Sequence, residues 1–66
     1  MEQLTIKKAR MLNEKTQDEC AEFLGISRQA YISKEQGETR FYFDEVIKLC
    51  EWLNVDWTKI KPSLST

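Results

Sequence analysis

Thr16-Gln17-Asp18-Glu19-Cys20-Ala21-Glu22-Phe23-Leu24-Gly25-Ile26-Ser27-Arg28-Gln29-Ala30-Tyr31-Ile32-Ser33-Lys34-Glu35-Gln36-Gly37 is the stretch whose reading decides the fold. Thr16 suits a helix N-cap. Glu19 stands three residues on and completes a capping box, in which the hydroxyl accepts from the third helical amide while the carboxylate reaches back to the cap amide. Cys20, Ala21 and Leu24 then recur at the spacing that lines one helical face, and Gly25 follows as the residue best able to adopt a left-handed stop. Ile26 can point inward from the turn. Ser27 offers another N-cap, so the next helix starts at Arg28 after a connection of only three residues. That helix carries Tyr31 inward, runs to Gln36 and stops at Gly37. Two short helices joined this tightly through a glycine cross at roughly 90 to 120°.

Working outward, the periodicity is helical throughout and strands find little support. Ile6 and Ala9 put an apolar stripe on a first helix expected from about Gln3 to Leu12, and Asn13-Glu14-Lys15 breaks it. On the other side, Glu38 to Tyr42 reads as a loop. Asp44 is expected to cap a fourth helix with Val46, Ile47, Cys50 and Leu53 inward, and Phe43, just before that cap, to staple onto Ile47. Asn54 closes the helix, Val55 turns inward, and Asp56 caps a last short helix carrying Trp57 and Ile60. The expectation is an all-α, compact five-helix domain over residues 1–61 with a flexible polar tail at 62–66.

Composition narrows the function classes. A chain of 66 residues is one domain with a simple core and little room for a catalytic cleft. No apolar run approaches membrane-spanning length, and Met1 to Lys8 lacks the apolar stretch of a signal peptide, so a cytoplasmic location is expected. Cys20 and Cys50 are widely separated thiols in apolar helical patterns, which suits reduced core residues. With no histidine in the chain, zinc would lack its usual nitrogen ligand, so no metal site is expected; no cofactor is expected either. Ten basic and eleven acidic residues give a net charge of −1, which argues against nucleic-acid binding unless one face is locally basic.

Thr16-Gln17, Ala21, Leu24-Gly25-Ile26-Ser27-Arg28-Gln29 and Glu35-Gln36-Gly37 together resemble the signature of the lambdoid phage repressor and Cro helix-turn-helix family. The likeness runs from about Ile6 to Ile60. It implies a five-helix domain that binds double-stranded operator DNA, generally as a symmetric homodimer on a near-palindromic site. Arg10 and Glu35 are expected from the resemblance to form an internal ion pair bracing the DNA-binding helix. Two positions depart from the family pattern: Lys15 and Lys34 stand where apolar residues are usual, with aliphatic stems that can still pack.

On that reading Ser27, Arg28, Gln29 and Ser33 lie opposite Tyr31, free to reach base edges in a major groove. The Gln29 amide matches adenine N6 and N7, whereas Arg28 can fork onto guanine or grip a phosphate. Gln17, beside the first amides of its helix, is expected on a phosphate. Arg40 is a second phosphate candidate, with Lys7 and Lys8 as weaker ones. Arg28, Lys34 and Arg40 are the cations of the reading segment. Phe41, Trp52 and Trp57 either form a dimer patch or fill the small core.

A protein-interaction module, such as an antitoxin, antirepressor or adaptor on the same fold, is the alternative that the acidic balance favours. An enzyme is the weakest reading. There is no histidine, no evident paired-carboxylate cleft and no glycine-rich phosphate loop, and no small-molecule substrate or membrane partner is expected.

Overall fold

A computed structural model describes residues 4–60, which form α1 (Ile6–Leu12), α2 (Gln17–Leu24), α3 (Arg28–Gln36), α4 (Phe43–Leu53) and a closing 3-10 turn, Trp57–Lys59. The expected helix start at Gln3, both limits of the 1–61 domain and the whole 62–66 tail lie outside the described residues.

α1 begins later than the periodicity suggests. Thr5 is its N-cap, with its hydroxyl accepting from the Lys8 amide at 3.1 Å. Leu4 instead makes an isolated parallel bridge with Ile60, its amide donating to the Lys59 carbonyl at 3.1 Å. That clasp joins the two ends of the described chain, and a local helix pattern cannot reveal it. At the far end the Asn13 amide group donates to the Ala9 carbonyl at 2.9 Å, closing α1 where the polar break was read.

The central pair of helices forms as its caps dictate. Thr16 accepts from the Glu19 amide at 3.0 Å and Glu19 accepts from the Thr16 amide at 2.8 Å. Gly25 closes α2 at φ 74°, a left-handed conformation that a side chain resists. Ser27 accepts from the Ala30 amide at 3.1 Å and starts α3.

The C-terminal half differs from expectation in register. Tyr42, not Asp44, is the N-cap of α4, because the Glu45 carboxylate reaches back to accept from the Tyr42 amide at 2.8 Å. Asp44 falls in the first turn, where its charge suits the helix dipole. Phe43 becomes the first helical residue and stays exposed, meeting Trp57 edge-on at 5.4 Å. The expected fifth helix is only the 3-10 turn. Asp56 pins its start by accepting from the Thr58 amide at 3.0 Å and hydroxyl at 2.7 Å, while Ile60 leaves in extended conformation towards Leu4.

The core gathers Ile6, Cys20, Ala21, Tyr31, Phe41 and Leu49, with Leu24, Ile26, Val46, Trp52 and Ile60 packed against it. Leu49, absent from the expected stripe, is fully buried beside Cys50 and Leu53, whereas Ile47 is half-buried. Phe41 is only 7% exposed and lies edge-on to Tyr31 at 5.8 Å, so it belongs to the core and not to a surface patch. Trp52 is half-buried and stacks on Phe23 at 4.5 Å. Both cysteines are buried free thiols. Among the described residues no helix is long and apolar enough to cross a membrane.

Candidate nucleic-acid interface

The turn between α2 and α3 is closed by backbone hydrogen bonds. Gly25 donates to Ala21 and Glu22, and the Ile26 amide reaches the Ala21 carbonyl at 3.0 Å. Six-to-one closure of this kind satisfies the last carbonyls of α2 and turns Ile26 onto the core. The chain therefore sets out along α3 with Ser27, Arg28 and Gln29 exposed on its first turn, while Tyr31 and Lys34 face inward. Ser33, one turn beyond Gln29, is half-buried. The Ser27 oxygen serves as the cap acceptor, which leaves its O–H as the group able to donate outward.

Arg28 is not alone on this face. Its Nε lies 3.1 Å from Asp18 Oδ1, with side chains 64% and 72% exposed. No local sequence pattern connects the two, since they sit on different helices.

Behind α3, one carboxylate gathers three helices. Arg10 donates to Glu35 from Nε at 2.8 Å and from Nη2 at 3.3 Å, Tyr31 from its hydroxyl at 2.8 Å, and Gln17 from Nε2 at 2.9 Å. Arg10 Nη1 also donates to the Lys15 carbonyl at 2.8 Å, which ties in the link between α1 and α2. The Glu35 side chain is 3% exposed. Burial pushes its carboxyl up, but the hydrogen bonds from Arg10, Gln17 and Tyr31 outweigh this and hold it below the ordinary glutamate range. The Arg10 guanidinium is raised in turn, chiefly by its hydrogen bond to Glu35. Burial, with Glu35 as acceptor, pushes the Tyr31 phenol far up. Among the described residues no buried side-chain nitrogen or oxygen lacks a hydrogen-bond partner.

Two residues have partners here that local sequence patterns do not reveal. Gln17 turns its amide nitrogen to Glu35, leaving its side-chain oxygen and its backbone amide for any outside contact. Asp18 and Glu19 in the same first turn already answer the positive end of the α2 dipole. Lys34 is withdrawn from the basic set of the reading segment: it is buried, donates to the Arg40 carbonyl at 2.9 Å, pairs with Glu45 at 3.2 Å and lies 4.5 Å from the centre of the Tyr42 ring. Its apolar slot is filled by the stem, while the ammonium latches the loop after α3 onto α4. Lys15 similarly places its ammonium 4.9 Å from the Trp52 ring centre.

The remaining candidates are dispersed. Arg40 is exposed in the loop after α3, and Lys7 and Lys8 are exposed on α1. Sequence reasoning missed the Tyr31 hydroxyl, although its four-residue spacing from Glu35 on one helix was a usable signal.

This arrangement of helices agrees with the comparison to known families: residues 6–60 match a family model described as helix-turn-helix. No curated protein and no solved structure matches the chain. With the match spanning α1 to the closing turn, the chain belongs to the helix-turn-helix family of the Cro and repressor type, a family of DNA-binding regulators.

Proposed function

We propose that this domain is a sequence-specific transcriptional repressor of the phage type that places α3 in the major groove of a double-stranded operator. Ser27, Arg28, Gln29 and Ser33 face base edges, while Gln17, Arg40, Lys7 and Lys8 lie along the phosphates. The observation that carries this reading is the first turn of α3: Arg28 and Gln29 are exposed on the helix that a tight glycine turn sets off from α2. An α-helix fits the major groove, and an arginine beside a glutamine supplies two bidentate base readers. The protein acts as a homodimer in the cytoplasm, its α3 helices reading half-sites about 34 Å apart on a near-palindromic site. With Phe41 in the core and Trp52 half-buried, the subunit contact falls to Trp57 and its exposed neighbour Phe43, which are 46% and 66% exposed. Selection of bound sequences from random duplexes tests this directly. A recovered site with two related half-sites supports it, and recovery of no preferred sequence overturns it.

The same exposed aromatics, with Tyr42 beside them, favour a second reading as an antitoxin, antirepressor or adaptor that uses this face on a protein. Duplex titration at two salt concentrations separates the two. A regulator shows a negative log–log slope of several units, and an adaptor shows little binding at either concentration.

A further inference from the structure

Resting on the reading of α3 as the groove-binding helix, we propose that Asp18 is a specificity-determining positioning residue, which holds Arg28 for a guanine and keeps it off the phosphates. The geometry is the Nε–Oδ1 contact of 3.1 Å between an exposed arginine at the start of α3 and an exposed aspartate in the first turn of α2. A guanidinium carries five N–H donors in a flat fork. With Nε turned to Asp18, the donors on Nη1 and Nη2 remain, and that end of the fork matches O6 and N7 of guanine.

The carboxylate also selects against the competing use of the arginine. A phosphate approaching the same fork brings a full negative charge, shared by its two outer oxygens, against the Asp18 carboxylate beside it, whereas the guanine acceptors belong to a neutral base. Asp18 is not needed for the cap itself, because Glu19 already supplies the capping carboxylate. In the free protein the pair is exposed and screened, and contributes little to folding. Its effect appears when the groove displaces water and the same two charges interact in a lower dielectric. Taken as a unit the pair is neutral and releases no counterions, which fits a chain whose net charge is −1 and which must draw selectivity from base edges.

The test uses the intact chain and duplexes carrying its selected site, identical except for G·C to A·T replacement at the position Arg28 reads. Wild type, Asp18→Asn, Arg28→Ala and the double variant are titrated over a salt series, with circular dichroism showing equal helix content. Wild type is expected to prefer guanine at that position roughly tenfold or more. Asp18→Asn cuts the preference roughly threefold or more, tightens binding to random duplex, and steepens the salt slope by about 0.9 for each phosphate that Arg28 gains. Arg28→Ala abolishes the preference, and adding Asp18→Asn to it changes the preference no further. Full guanine preference with a wild-type salt slope in Asp18→Asn overturns the positioning role alone, as does an equal loss of preference at every base position. Absence of duplex binding by wild type at low salt overturns the DNA reading and this inference together.

Discussion

Gln17 Nε2 lies 2.9 Å from Glu35 Oε1, so the first residue of α2 is fastened to the last turn of α3. A contact spanning the two helices holds the angle between them. Gln17→Ala is expected to lower the unfolding free energy by about 1.5 kcal/mol, the usual range for a hydrogen bond to a charged group, and to weaken preferred and random duplex alike. Gln29→Ala removes an exposed side chain, leaves stability within about 0.5 kcal/mol, and costs about 1 to 3 kcal/mol on the preferred site alone. Thermal melts and duplex titrations of both variants check the contrast. Equal losses on both kinds of DNA for both changes would show that these residues do not divide positioning from reading.

Glu35 also sets an acid limit on the fold. Its folded carboxyl is held below the ordinary value of 4.5, so the unfolded chain takes up the proton first as the pH falls. The stability it contributes is fully present above 4.5 and is lost as the pH drops through the lower, folded value. Glu35→Gln should flatten this part of the stability curve, while at neutral pH it strands the Arg10 charge and destabilises by about 3 kcal/mol. Urea unfolding from pH 7 down to pH 2.5 measures both effects. An unchanged acid slope in the variant would place the sensitivity on other carboxylates.

The Lys34 ammonium latches the loop at residues 38–42 to α4 through the Arg40 carbonyl, Glu45 and the Tyr42 ring. Lys34→Met keeps the packed stem and removes all three contacts. The expected loss is about 1.5 to 3 kcal/mol, as for a charged hydrogen bond, with faster amide exchange concentrated in the loop and at the start of α4. A variant as stable as wild type, with unchanged exchange there, would reduce the latch to ordinary packing of the stem.

The helix pair and its turn were legible because their signals are local. A capping box at Thr16, a left-handed stop at Gly25 and a cap at Ser27 each close hydrogen bonds within three or four residues, and the structure places all three where the sequence did. Elsewhere the deciding contacts are distant or ambiguous. Leu4 pairs with Lys59 and Ile60 across nearly the whole chain, which shifts the start of α1. Both Tyr42 and Asp44 can precede a helix, and only the reach of Glu45 to the Tyr42 amide selects between them. Lys34 read as a surface cation because burial of an ammonium depends on Arg40 and Glu45 arriving from the loop and from α4. The same holds for the candidate interface. The residue types on α3 could be read directly, whereas Asp18 beside Arg28 depends on how two helices pack.

Gly25 is the residue on which that packing turns. At φ 74° it occupies the left-handed region, and a Cβ added there would meet nothing within 4 Å. Gly25→Ala therefore has no clash to relieve, and its cost is the backbone energy alone, about 1 to 2 kcal/mol. The chain itself shows which substitute is easier, since Asn54 closes α4 at φ 58°. Gly25→Asn should accordingly recover a good part of the loss. Both variants should keep the wild-type base preference when assayed well below their melting temperatures, because the turn they reach is the same. A loss above about 4 kcal/mol for alanine, or an asparagine variant no better than alanine, would overturn the account of this position as a backbone cost alone.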